Sequence, residues 1–154
     1  MPIEIGDPIP DLSLPATGGS DVKLRSLKGK AVVLYFYPKD NTPGCTQEGQ
    51  AFRDLHAEFE AAGAVVLGVS RDSVRTHENF AAKHGFPFAL LSDTDEALCR
   101  ALDVIKEKTL YGRKYMGVDR STFLFDRKLA LRQVWRGVKV KGHAQAVLEA
   151  LQAL

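Results

Sequence analysis

A chain of 154 residues with 45% apolar and 26% charged side chains has room for one compact unit, and this composition excludes a disordered or fibrous protein. Its 21 basic and 19 acidic residues leave a net charge of +2, too balanced and too evenly spread for binding nucleic acid by charge. The longest apolar run, Ala31–Tyr37, is about a third of a membrane span, and the opening MPIEIGDPIPDLSL has neither a basic nor an apolar signal region, so a cytoplasmic protein is expected.

Residues 1–20 carry Pro2, Pro8, Pro10, Pro15 and the pair Gly18-Gly19, which read as an extended lead-in turning into a short edge strand over Val22–Leu24. Ala31–Tyr37 is continuously apolar and rich in β-formers, as in a strand covered on both faces, and Pro38 ends it. From Pro43 the period changes: Cys45, Gly49, Phe52, His56 and Phe59 fall on one helical face, with Gly63 as the stop. Ala64–Val69 repeats the buried-strand pattern, and a helix over Ser73–His84 ends at Gly85 and Pro87. Phe88–Leu91 is a third candidate strand and Asp93–Leu102 a short helix started by its acids. Residues 103–119 mix charge, glycine and tyrosine without a clear period and read as a long loop with room for one short strand. Ser121–Phe125 and Leu129–Trp135 pair antiparallel around Asp126-Arg127-Lys128, and a helix over Gly142–Leu154 closes the chain.

The order is therefore β-β-β-α-β-α-β-α-β-β-α, with a right-handed parallel crossover early and an antiparallel hairpin late. The economical solution is an α/β, thioredoxin-like fold, a mixed central β-sheet flanked by helices, in a single domain over 1–154.

Cys45 and Cys99 cannot form a disulfide framework, lack zinc-ligand or CxxC spacing, and find no partner among His56, His77, His84 and His143 at ligand spacing. Each is a core filler or a reactive thiol. The informative stretch is Tyr37-Pro-Lys-Asp-Asn-Thr-Pro-Gly-Cys-Thr-Gln-Glu48, between the carboxyl end of a buried strand and a helix. Thr42 reads as N-cap and Pro43 as the first helical residue, which puts Cys45 third. A sulfur there faces unpaired backbone N–H groups at the positive end of the helix dipole, and both favour thiolate.

Pro38-x-x-x-Thr42-x-x-Cys45 is identified as the active-site signature of the peroxiredoxins. The wording YPKDNTPGCTQE resembles the peroxiredoxin Q group, also called bacterioferritin-comigratory proteins, and the likeness runs from GDPIPDLSLP through RSTFLFD to KGHAQAVLEAL. The resemblance implies a thiol-dependent peroxidase of hydrogen peroxide and organic hydroperoxides, without metal, haem or flavin, in which Cys45 is oxidised to a sulfenic acid. Thr42 and the Gly44-Cys45 N–H groups are then candidate donors to the breaking O–O bond, and Pro38 a shield over the sulfur. The family carries an arginine at the start of a later strand, which Arg120 matches, and Glu48 lies on the side of the helix from which it could orient that guanidinium.

This sequence departs from the group at the usual resolving positions, where it has Gln50 and Ala81. Cys99 remains; it reads as a structural thiol, which leaves a one-cysteine cycle with thioredoxin, glutaredoxin or a small thiol as reductant. A two-cysteine cycle resolved by Cys99 is the alternative, and a non-enzymatic chaperone or interaction module on the same scaffold is the alternative of another class. A thiol–disulfide oxidoreductase is disfavoured because Cys45 has no adjacent thiol. A monomer or weak homodimer is expected. His77, His84 and His143 read as surface or capping residues, and Phe88, Tyr111, Tyr115 and Trp135 as candidates for an apolar mouth or for packing.

Overall fold

The computed structural model describes residues 3–154, so Pro2 of the expected lead-in lies outside the described residues. The strands are β1 (Ser13–Leu14), β2 (Val22–Lys23), β3 (Ala31–Phe36), β4 (Ala64–Ser70), β5 (Leu90–Ser92), β6 (Ile105–Leu110), β7 (Arg113–Val118), β8 (Ser121–Phe125) and β9 (Leu131–Trp135). The helices are α1 (Pro43–Asp54), α2 (His56–Ala61), α3 (Val74–His84), α4 (Ala97–Ala101) and α5 (His143–Gln152). The central sheet has the order β5-β4-β3-β8-β9, with β3, β4 and β5 parallel and β8 and β9 antiparallel to their neighbours. This is the expected thioredoxin-like plan of a mixed sheet with flanking helices.

Every residue of β3 is buried because the strand sits mid-sheet with a core on each side. Val32, Leu34 and Phe36 face one cluster, with Leu98, Cys99 and Leu102 around α4. Val33, Tyr35 and Tyr37 face the other, with Cys45, Phe52, Phe59, Phe80 and Leu148 from the helices. The two cysteines therefore lie on opposite faces of the sheet. No helix of the described residues is long and apolar enough to cross a membrane.

Four expectations are corrected. The single helix after Pro43 is two: it breaks at Leu55 (φ −100°, ψ 4°), and the bend lets Phe52 and Phe59 stay buried with ring centroids 5.7 Å apart. Residues 103–119 are not a loop but largely the hairpin β6–β7, closed by Tyr111 (φ 50°) and Gly112 (φ 75°), the positive-φ pair of a tight two-residue turn. Most of this hairpin is solvated on both faces, and Tyr111 at its tip is 96% exposed, so no buried face imposes a period-2 pattern. His77 and His143 are core residues, bonded to Asp40 and Thr122, because a buried polar partner satisfies each ring. Phe88 and Trp135 pack on the helix-covered face while Tyr111 and Tyr115 sit on the hairpin, so the four aromatics form no common mouth.

Smaller shifts concern boundaries. The edge strand stops at Lys23, where Leu24–Leu27 form a 3₁₀ turn; β5 starts at Leu90 rather than Phe88, and β9 at Leu131. The short helix starts only at Ala97, but its expected acidic start holds: Asp93 accepts the N–H groups of Leu98 and Cys99 at 3.1 and 2.7 Å.

Gly49, one turn beyond Cys45, lets α1 approach the Phe86 ring: a Cβ there would lie 2.3 Å from it. Phe86 is in turn stacked on His84 and Phe88 and meets Phe80 edge-on, so it has little room to yield. Gly49→Ala is expected to destabilise the fold by about 1–3 kcal/mol. Urea denaturation checks this, and an unchanged midpoint would contradict it.

Candidate active site

The site forms where β3 and β8 meet. Phe36, the last residue of β3, pairs with Ser121, the first of β8. That register sets Arg120 beside the loop that leaves β3, and the Arg120 carbonyl accepts the Val138 N–H at 2.9 Å. Across the loop, Asn41 adopts φ 63°, a left-handed conformation asparagine tolerates, and turns the chain into α1.

Thr42 is the N-cap of α1, with Pro43 first and Cys45 third, as expected. Its side chain does not cap the helix: the hydroxyl donates to Lys39 O at 2.8 Å and ties the loop to itself. The first backbone bond of the helix runs from the Thr46 N–H to Thr42 O at 2.9 Å, so the N–H groups of Gly44 and Cys45 precede the intrahelical ladder. Pro38 follows the buried Tyr37 and is half-buried.

Arg120 joins the parts. Its Nη2–H donates to Cys45 Sγ at 3.4 Å and its Nη1–H to Glu48 Oε1 at 2.7 Å. The planar fork holds sulfur and carboxylate together. Cys45 is 1% exposed, Glu48 1%, and the Arg120 side chain 17%, so the guanidinium is the site's outermost charged part. Gly44 makes room for it, since a Cβ there would sit 3.2 Å from Nη2.

Burial pushes the Glu48 carboxyl up to about 7 against the pull of Arg120. Its Oε2 has no hydrogen-bond partner among the described residues, which a carboxyl close to protonation tolerates better than a full anion. Cys99 is a different thiol: burial, then the carboxylate of Asp93, push it far up, so it stays protonated. It is fully buried, and both cysteines are free.

The structure thus brings Cys45, Thr42, Gly44, Glu48 and Arg120 together at one strand end and sets Cys99 apart. Asp40 and His77 were not singled out by the sequence, although a carboxylate inside the informative loop was a signal available to be weighed. Both side chains are fully buried, and they meet at 2.7 Å.

Residues 5–134 match the AhpC/TSA family. The chain is 59% identical over 143 residues to peroxiredoxin Bcp of Xanthomonas campestris, covering 93% of this chain and 89% of that one. It is 53% identical to peroxiredoxin Bcp of Bacillus subtilis, over 100% of this chain and 96% of the other. Among solved structures, the bacterioferritin comigratory protein of Xanthomonas campestris, described for its alkyl peroxide reduction activity, superposes with a TM-score of 0.89 at 58% identity, covering 93% and 91% of the two chains. A cysteine-to-serine mutant of Xylella fastidiosa PrxQ superposes at 0.93 with 48% identity, covering 98% and 96%.

Because the folded state raises the Glu48 pKa above its ordinary 4.5, its stabilising contribution is complete below that value and is lost as pH rises through about 7. Glu48→Gln carries no such proton. Its unfolding free energy, from urea titrations at about pH 5 and about pH 8, is therefore expected to fall less between the two than that of the wild type. Equal falls would contradict the assignment.

Proposed function

The chain belongs to the AhpC/TSA family, as a peroxiredoxin of the Bcp or peroxiredoxin Q group, and from that premise we propose that Cys45 is its peroxidatic nucleophile, working in a one-cysteine cycle. The observation that carries the reading is the single guanidinium bonded to both Cys45 Sγ and Glu48.

Negative charge on the sulfur is stabilised from two sides, by Arg120 and by the N-terminus of α1. The thiolate attacks one oxygen of a hydroperoxide, a sulfur–oxygen bond forms as the O–O bond breaks, and the leaving oxygen takes a proton to depart as water or an alcohol. The other oxygen stays on Cys45 as the sulfenic acid. Charge passing to the leaving oxygen needs fixed donors, and the candidates are Arg120 and the N–H groups of Gly44 and Cys45. Thr42 must turn its hydroxyl away from Lys39 O to serve as another. Pro38 shields the sulfur's surroundings with a rigid ring.

The alkyl peroxide activity of the Xanthomonas relative supports organic hydroperoxides as substrates beside hydrogen peroxide. The placement of Cys99 supports resolution by an external thiol: it lies across the sheet from Cys45 and is held protonated under Asp93. The incoming thiol condenses with the sulfenic acid, releasing water and leaving a mixed disulfide that a second thiol reduces. A sulfur 1% exposed cannot meet a thiol in line, so the first turn of α1 moves outward at this step. Thioredoxin, glutaredoxin or a small thiol would serve, with the chain acting in the cytoplasm as a monomer or weak homodimer.

Peroxide consumption with dithiothreitol is expected to vanish in Cys45→Ser and to persist in Cys99→Ser. After one equivalent of peroxide, the intact mass of the unreduced wild type is expected to rise by one oxygen. A loss of two hydrogens with a Cys45–Cys99 crosslink would overturn the one-cysteine cycle, and an active Cys45→Ser would overturn the peroxidatic role.

A further inference from the structure

Asp40 lies five residues before Cys45, in the loop that carries Pro38 and Thr42. Its Oδ1 accepts the Tyr37 hydroxyl at 2.6 Å, and its Oδ2 meets His77 Nδ1 at 2.7 Å with both side chains fully buried. The other ring nitrogen, Nε2, lies 2.9 Å from Leu91 O. A carbonyl only accepts, so Nε2 carries a proton, and the bridge between Nδ1 and Oδ2 needs exclusively one more. That proton belongs to an imidazolium facing a carboxylate or to a carboxylic acid facing a neutral ring. Either way the pair is neutral overall and leaves no buried charge unmatched.

The network reaches further. The Asp40 N–H donates to Asp72 Oδ2 at 2.9 Å, an oxygen that also accepts the Ser70 hydroxyl at 2.6 Å. The loop after β3 is thereby tied to the ends of β4 and β5 and to α3. The very next residue is Asn41, whose positive φ turns the chain into α1. Asp40, Asp72 and His77 are residue types that bind cations, but their facing atoms are already engaged with one another or with Ser70.

We propose that His77 and Asp40 are positioning residues of the peroxidatic site: their proton bridge locks the Pro38–Thr42 loop and so sets the first turn of α1, with Cys45, against Arg120. This rests on the reading of Cys45 as nucleophile. The bridge explains why a histidine and an aspartate are fully buried next to the loop, where hydrophobic side chains would cost less.

The test is single-turnover oxidation of Cys45 by hydrogen peroxide, expressed per folded molecule with the folded fraction taken from thermal melts. Asp40→Ala is expected to slow it at least about tenfold, since small misplacements of reacting groups are costly. Asp40→Asn can donate its amide to Nδ1 and still accept from Tyr37, and is expected to stay within about threefold of wild type. Proton NMR of the wild type should show the bridging proton far downfield of the amides, and Asp40→Ala should lack it. Should Asp40→Ala not fold, Asp40→Ser takes its place with the same expectation. A folded Ala or Ser variant oxidised at the wild-type rate, an Asn variant as slow as the Ala one, or a wild type without the downfield proton overturns the proposal. A wild type whose Cys45 is not oxidised overturns the functional reading instead.

Discussion

One guanidinium, held between a sulfur and a buried carboxylate, is the constraint on which this structure turns. Arg120 reaches Cys45 and Glu48 from 75 and 72 residues away along the chain. It does so because the sheet pairs the end of β3 with the start of β8, so the loop leaving one strand and the residue entering the other are neighbours by register. A shift of that register by one residue would turn Arg120 toward the opposite face of the sheet. The burial of β3 on both faces, the Gly44 gap and the Gly49–Phe86 contact all hold α1 where the guanidinium can reach it.

The electrostatics follow from burial. Glu48 alone in this interior would be a strongly penalised anion, and Arg120 offsets part of that cost while leaving the carboxyl near neutral titration. The same desolvation acts on Cys99 without a compensating cation in contact, and the neighbouring Asp93 adds to it, so that thiol is kept inert. Two buried cysteines in one chain thus face different neighbours, a guanidinium at Cys45 and a carboxylate at Cys99.

Much of this was legible in the sequence, and the parts that were not have physical reasons. Ala31–Tyr37 announced a doubly covered strand because a mid-sheet position leaves no solvated face, and Thr42-Pro43 announced a helix start because proline loses nothing at the first position. Arg120 was found through the family resemblance, since spacing alone does not foretell that β3 and β8 pair. The hairpin β6–β7 escaped because most of its residues are wet on both faces and its Tyr111-Gly112 turn lacks the usual asparagine or aspartate. The bend at Leu55 escaped because Phe52, His56 and Phe59 keep their spacing across it. His77 and Asp40 escaped because a buried polar pair leaves no trace in hydrophobic period: each residue by itself looks like surface, and only the contact at 2.7 Å gives either a reason to be inside.

The most direct measurement is the second-order rate constant for oxidation of Cys45 by hydrogen peroxide in a single turnover, compared between the wild type and Arg120→Lys at matched folded fraction. Lysine keeps the charge but loses the planar fork that serves sulfur and carboxylate together, so a fall of about a hundredfold is expected, as for the removal of one preorganised donor. A lysine variant that is folded and oxidised at the wild-type rate would contradict the central role given to the guanidinium.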